Sequence, residues 1–249
     1  MAEEQKFPTE VIDLPSEGKL YPKDSPLSDG KIEIKYMTAK EEDILTSANL
    51  IKKGLAVDTL LNSLIVDKDI ILDDLILGDK NAVMVAARVL AYGPEYICDI
   101  KDPNTGDTIT HTFNLAECPF KKLPKGITEN NFEINLPVSK KKVTFQILTG
   151  KEEKLIEKEL ASVKKLGTKV SPELTTRLRY VITSVDGDES QPTVNSFVQN
   201  MLARDSLFLR HELQKISPDI EMKQSIDIGG DVVEVDVPLT TEFFWPSSQ

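Results

Sequence analysis

The stretch Ile32 to Glu42 reads I-E-I-K-Y-M-T-A-K-E-E, and the stretch Val143 to Glu153 reads V-T-F-Q-I-L-T-G-K-E-E. Each begins with the alternation of apolar and polar residues that is typical of a β-strand. Each then reaches a Thr that is followed three residues later by a Glu, which is the capping-box pattern of a helix start. The two pairs are Thr38 with Glu41 and Thr149 with Glu152. The sequence therefore predicts one local design, a strand leading into a capped helix, at two places in the chain.

The repeated unit extends in both directions from these stretches. Upstream, I-D-L-P at Ile12 to Pro15 matches I-N-L-P at Ile134 to Pro137. Downstream, apolar residues at helical spacing and Gly or Pro stops predict about three helices in each copy. Their expected ranges are 38–54, 57–66 and 79–93 with Asp79 as a cap, then 150–166, 171–185 and 192–216 with a break near Arg204 to Ser206. Each copy then closes with a predicted β-hairpin, within residues 96–113 and 221–237.

These recurring elements predict an α+β fold of two similar lobes that arose by internal duplication. Each lobe is expected to hold N-terminal strands or a hairpin, about three helices and a closing β-hairpin. The first lobe would cover residues 1–121 and include an extended N-terminal segment. The second would cover residues 122–249 and end in an aromatic tail. The Pro- and Gly-punctuated stretch at 118–132 is the expected linker.

Composition favours a soluble globular protein and argues against several classes of partner. The 249 residues carry 41 Asp and Glu against 30 Lys and Arg, a formal net charge of −11. This acidity disfavours non-specific attraction to nucleic acid or anionic lipid. No apolar run reaches the roughly 18 residues that a membrane span requires. We therefore expect protein partners, no nucleic-acid partner and no transmembrane segment.

Few side chains are candidates for catalysis or metal binding. Cys98, Cys118, His111 and His211 lack the spacing of a zinc site, so both thiols are expected to be reduced and half-buried. The repeated glutamates could be the paired carboxylates of a small hydrolase. However, adjacent helical side chains point about 100° apart, and helix capping explains these residues better. We expect no enzyme activity, no cofactor and no metal site.

Three successive aromatic residues, Phe243, Phe244 and Trp245, lie just before the polar end of the sequence. Aromatic side chains contribute much of the binding energy at protein interfaces. Two interpretations are open: these side chains dock onto the protein's own core, or they anchor a partner protein. The three residues are therefore the candidate partner-binding site.

Four ordered motifs carry a resemblance to a known family. They are I-D-L-P-S-E-G-K-L-Y-P at 12–22, M-T-A-K-E-E-D-I-L-T-S at 37–47, L-G-D-K-N-A-V-M-V-A-A-R at 77–88 and Y-G-P-E-Y at 92–96. With these motifs, the chain resembles the baseplate hub family of T-even-type myoviruses over most of residues 10–160. The resemblance implies a late phage protein that is needed to build the central hub of the tail baseplate and has no known chemistry.

Some relatives in that family carry a C-P-x-C-G-like knuckle where this chain has Asp102 to Gly106, D-P-N-T-G. The thiols are absent here, so the resemblance implies a first hairpin that is closed by turn chemistry alone.

The function expected from the resemblance is that of a non-enzymatic, chaperone-like assembly factor for the baseplate hub. It would act through contacts with baseplate hub proteins, in an oligomeric state that the sequence leaves open. Its expected location is the host cytoplasm during phage assembly. The alternative is a permanent structural subunit of the hub, located in the virion baseplate.

Overall fold

The computed structural model describes residues 7–102, 105–167, 170–228, 230–239 and 243–245. Its first half runs from paired strands through helices to a β-hairpin. In chain order the elements are β1 (Thr9–Asp13), β2 (Lys31–Lys35), α1 (Ala39–Thr46), α2 (Ala48–Lys52), α3 (Ala56–Leu64), α4 (Leu77–Tyr92), β3 (Glu95–Lys101) and β4 (Thr108–Asn114). Strand β1 pairs antiparallel with β2, with Ile12 opposite Ile32, and β3 pairs antiparallel with β4.

The second half follows a similar order. Its elements are β5 (Phe120–Lys121), β6 (Phe132–Asn135), β7 (Lys142–Phe145), α5 (Gly150–Lys165), α6 (Glu173–Val181), β8 (Ile182–Val185), α7 (Gln191–Gln199), α8 (Ala203–Ile216), β9 (Asp219–Ile220), β10 (Lys223–Ile228) and β11 (Asp231–Asp236). Strand β6 pairs with β7, with Ile134 opposite Val143, and β10 and β11 form the second closing hairpin. The predicted α+β class is confirmed. The internal duplication stays a hypothesis, which this similar order supports.

Two predicted helices are interrupted in the structure. The helix expected over residues 38–54 breaks at Ser47, whose extended backbone separates α1 from α2. The helix expected over residues 192–216 breaks at residues 200–202, a few residues before the predicted position near Arg204, and gives α7 and α8. In both places the apolar spacing continues past the break, so periodicity alone does not locate it.

Strand β8 replaces the last turn of the helix that was expected over residues 171–185. The helix ends at Val181, and Ile182 to Val185 pair antiparallel with β7. Ile, Thr and Val are β-branched and favour extended backbone. A third strand is therefore added to the β6–β7 pair, in the order β6-β7-β8.

Two principal hydrophobic cores hold the elements together. The second core contains buried residues from Leu136 to Leu209. The first core is built on the first half, and buried residues from the end of the chain complete it: Ile220, Ile226, Val237, Phe243 and Phe244.

This packing differs from the predicted division into residues 1–121 and 122–249. The chain after α8 returns to the first half, where β9 pairs with β5 and places Ile220 opposite Phe120. A two-stranded hairpin such as β10–β11 has one apolar face that must be covered to be stable. The first core provides that cover, because Ile226, Val233 and Val235 pack against it.

Candidate functional site

Helix α1 begins with a capping box. The Glu41 carboxylate accepts a hydrogen bond from the Thr38 backbone N–H at 3.0 Å and from the Thr38 hydroxyl at 2.5 Å. The Lys35 ammonium donates to its other oxygen at 2.8 Å, so the buried carboxylate is paired on both oxygens. Burial acts to raise the pKa of Glu41, but the hydrogen bonds from Lys35 and Thr38 outweigh burial and lower it.

The second capping box has the same form at the start of α5. The Glu152 carboxylate accepts from the Thr149 backbone N–H at 2.9 Å and from the Thr149 hydroxyl. The structure therefore places Thr38, Glu41, Thr149 and Glu152 at helix starts, where each carboxylate accepts from the backbone N–H and the hydroxyl of the capping threonine.

Asp79 lies in the first turn of α4, but the cap of that helix is Ile76 and not Asp79 as predicted. Its carboxylate accepts from the Ser16 backbone N–H at 2.9 Å and from the hydroxyls of Ser16 and Tyr21, each at 2.6 Å. Burial raises the pKa of Asp79 despite these bonds, and burial together with the Asp79 charge raises the pKa of Tyr21. Asp79 therefore anchors the N-terminal segment onto α4.

Asp205 has a corresponding role in the second half. It lies in the first turn of α8, is fully buried, and accepts from the backbone N–H groups of Val138 at 2.8 Å and Ser139 at 2.9 Å. Val138 directly follows I-N-L-P, just as Ser16 directly follows I-D-L-P. In both halves, a buried aspartate at a helix start therefore fixes the turn after the same motif, which supports the duplication hypothesis.

The C-terminal aromatics dock on the first core. Phe243 and Phe244 are only 2% and 3% exposed. The Phe243 ring packs edge-on against Tyr96 with centroids 5.3 Å apart, and the half-buried Trp245 donates its indole N–H to the Leu45 carbonyl at 3.0 Å. That carbonyl lies in the last turn of α1, where the helix itself supplies no donor. The geometry is that of self-docking, and contact of these residues with a partner stays a prediction.

The turn of the first hairpin is closed by backbone and side-chain bonds. The Asp102 N–H donates to the Asp107 carbonyl and the Gly106 N–H donates to the Asp102 carbonyl, both at 2.8 Å. The Thr105 hydroxyl donates to the Asp102 carboxylate at 2.9 Å. Pro103 and Asn104 lie outside the described residues.

Neither cysteine is placed for thiol chemistry. Cys98 and Cys118 are free thiols and both are buried. Burial raises the pKa of Cys118, although a hydrogen bond from Gln224 opposes the shift. Within the described ranges, no cluster of His, Cys, Asp and Glu is arranged to hold a metal ion.

Backbone contacts join the two halves at the start of α5. Ile76 and Thr149 form an antiparallel bridge, and the Gly150 N–H donates to the Leu75 carbonyl at 2.9 Å. At a second contact, α4 lies directly against the chain that follows α8. The approach is so close that a Cβ built on Gly78 would lie 1.9 Å from the Pro218 carbonyl oxygen. Only glycine permits so close an approach of α4 to the chain that follows α8.

An ion network crosses the same junction. The Asp58 carboxylate on α3 pairs with Lys80 on α4 at 2.6 Å and with Lys154 on α5 at 3.1 Å, and Lys154 also pairs with Asp73. Burial acts to raise the pKa of Asp58, but its bonds with the two lysines outweigh burial and lower it. The two halves are thus joined by charge as well as by backbone bonds.

Beside this network lies a groove of about 800 Å³, which we call the junction groove. Its lining residues come from the α2–α3 connection, α3 and α4 on one side and from α5 and α6 on the other. They are Lys53, Gly54, Leu55, Asp58, Leu77, Lys80, Gly150, Glu153, Lys154, Glu157, Lys158 and Arg177. Sequence reasoning did not find this groove; the one available signal was the spacing of Lys154 and Lys158, which places both on one face of a helix.

No helix among the described residues combines the length and the apolar character needed to cross a membrane.

Comparison with known proteins identifies a family for the chain. The chain matches no curated protein and no solved structure. A family model described as T4 bacteriophage base plate protein matches residues 8–202, which extend from β1 to beyond α7 and cover most of the chain. The chain therefore belongs to the T4 bacteriophage base plate protein family.

Proposed function

We propose that this baseplate-associated phage protein is a non-enzymatic assembly factor for the central hub, acting through protein contacts in the host cytoplasm. The observation that carries the proposal is the family match over residues 8–202. Three further features support it: closing hairpins with free edges, exposed apolar side chains on those hairpins, and an acidic surface.

The closing hairpins have the chemistry of strand addition. Each is a two-stranded sheet, so within the described residues each strand has one edge without a strand partner. Exposed apolar side chains lie on these strands: Ile97 on β3 is 43% exposed and Val232 on β11 is 73% exposed. A partner strand can bond to such an edge while its side chains contact the apolar positions.

Charge favours selective pairing at the second hairpin. Strands β10 and β11 carry Asp227, Asp231, Glu234 and Asp236 against Lys223. Carboxylates around an open edge repel other acidic chains, including further copies of this protein, and favour a partner with complementary charge. The two closing hairpins would then hold two hub components, or two sites on one component, in an arrangement ready for assembly.

The decisive experiment is affinity capture from infected cells, with mass spectrometry of assembly intermediates and of mature particles. We expect the protein on hub intermediates and only substoichiometric amounts in mature virions. Stoichiometric presence in virions would overturn the assembly-factor proposal in favour of the permanent subunit.

A matched pair of variants tests the hairpin contact. Val232→Lys replaces an outward apolar side chain by a positive charge that repels a basic partner, and it should reduce capture of hub proteins without changing the melting temperature. Leu166→Lys, at a position 81% exposed after α5, is the control and should capture them normally. Equal capture by both variants would exclude this face of the hairpin as the contact.

A further inference from the structure

We propose that the junction groove binds an acidic, extended segment of a protein partner. The inference rests on the proposed function, because the segment would belong to a component of the assembling hub. Such a segment would contact both halves at once and would therefore hold their arrangement fixed.

The charge of the groove is opposite to that of the protein. Five basic and three acidic side chains line it, although the chain as a whole carries a net charge of −11. A groove of about 830 Å³ beside β6 to β8 has the reverse balance, since Glu133, Glu152 and Glu189 line it with Arg179. An acidic ligand is therefore attracted to the junction groove and repelled by the groove beside β6 to β8.

The ion pairs already present leave two ammonium groups for a ligand. Asp58 is shared by Lys80 and Lys154, and Glu153 pairs with Arg177. Lys53 and Lys158, on opposite walls, are exposed and form no ion pair within the described part of the chain. Two carboxylates of one extended segment can each meet one of these lysines.

The lining also favours a peptide over nucleic acid. Leu55 is 42% exposed within the groove and offers an apolar contact to a partner side chain. Aromatic side chains, on which bases would stack, are absent from the lining residues given above. An acidic segment with an interspersed apolar residue fits all of these features.

The test uses the full chain and a fluorescein-labelled peptide of sequence E-L-E-E-L-E, followed by fluorescence anisotropy at low ionic strength. We expect saturable binding that weakens as salt is added. Lys53→Glu with Lys158→Glu should raise the Kd about tenfold, because two attractive pairs become repulsive. Lys23→Glu with Lys125→Glu gives the same change in net charge at exposed loop positions outside the groove, and its Kd should stay within about twofold of the parent value.

Several results would overturn the inference. One is equal affinity of both double variants, and another is absence of peptide binding by the parent protein. A third is tighter binding of an oligothymidylate that the groove substitutions abolish, which would identify a nucleic-acid site. A fourth is a parent dimer that dissociates in the groove variant by analytical ultracentrifugation, which would make the occupant a second copy of this chain.

Capture from infected cells separates this inference from the proposed function. If the parent protein and the groove variant capture hub proteins equally, the groove inference fails and the proposed function stands. If the peptide binds as expected but the parent protein captures no hub protein, the groove is supported as a site for acidic segments and the hub assignment fails.

Discussion

Replacement of Asp205 by Asn tests the buried anchor of the second half with almost no change of shape. One carboxylate oxygen accepts the Val138 N–H and the other accepts the Ser139 N–H. An amide keeps one oxygen but presents an NH2 group to the second N–H, so that one part-buried donor loses its acceptor. The donor left without an acceptor costs about 1–3 kcal/mol, and conversion of the remaining bond to a neutral one costs about 1 kcal/mol more. The expected loss is therefore about 2–4 kcal/mol in the free energy of unfolding.

The effect of Asp205→Asn should depend on pH in a defined direction. Burial acts to raise the pKa of Asp205, but the hydrogen bonds from Val138 and Ser139 outweigh burial and lower it. A carboxyl group with a lowered folded pKa contributes stability above its unfolded pKa of about 3.9 and loses it as pH falls through the folded value. The difference in stability between parent protein and variant should thus be largest near pH 7 and should shrink below about pH 4.

Urea unfolding at pH 7, 5, 4 and 3, followed by circular dichroism, measures this difference. The control is Asp24→Asn, an exposed loop position that should change the unfolding free energy by no more than about 0.5 kcal/mol. A loss below about 0.5 kcal/mol at pH 7, or a difference that stays constant down to pH 3, would refute the role assigned to Asp205.

Three further outcomes follow from the structure. Gly78→Ala should destabilise the protein by about 3 kcal/mol or more, because its Cβ would overlap the Pro218 carbonyl oxygen, and an unchanged melting temperature would contradict that close approach. Phe244→Ala should lower the free energy of unfolding by about 3 kcal/mol, because a buried ring is lost. Leu239→Ala, at a half-exposed position, should lower it much less. An unchanged free energy of unfolding for the Phe244 variant would favour the partner-anchor interpretation. Asp79→Asn should show the opposite pH dependence to Asp205→Asn, because burial raises the folded pKa of Asp79. The parent protein should therefore gain stability relative to the Asp79 variant as pH falls towards about 4. A parallel pH dependence for the two Asn variants, measured by thermal unfolding, would contradict this sign.

The N-terminal motif I-D-L-P-S-E-G-K-L-Y-P illustrates how far sequence reasoning extends. Its Pro and Gly residues predict turns, and residues 14–30 do form turns between β1 and β2. The bonds of Ser16 and Tyr21 with Asp79 were not predictable, because more than 50 residues separate the partners. Hydrogen bonds of this kind depend on which elements pack together and leave no periodic signal in the sequence.

The sequence by itself determined the features that depend on near neighbours. Both capping boxes span only three residues, both closing hairpins are joined by short turns, and both appear in the structure. The strand β8 and the return of the aromatic tail to the first core were decided by tertiary structure. Each depends on a surface that residues distant in the chain provide, such as the Leu45 carbonyl for Trp245. The junction groove was decided in the same way, because Lys53 and Lys158 become its opposite walls only when the two halves pack together.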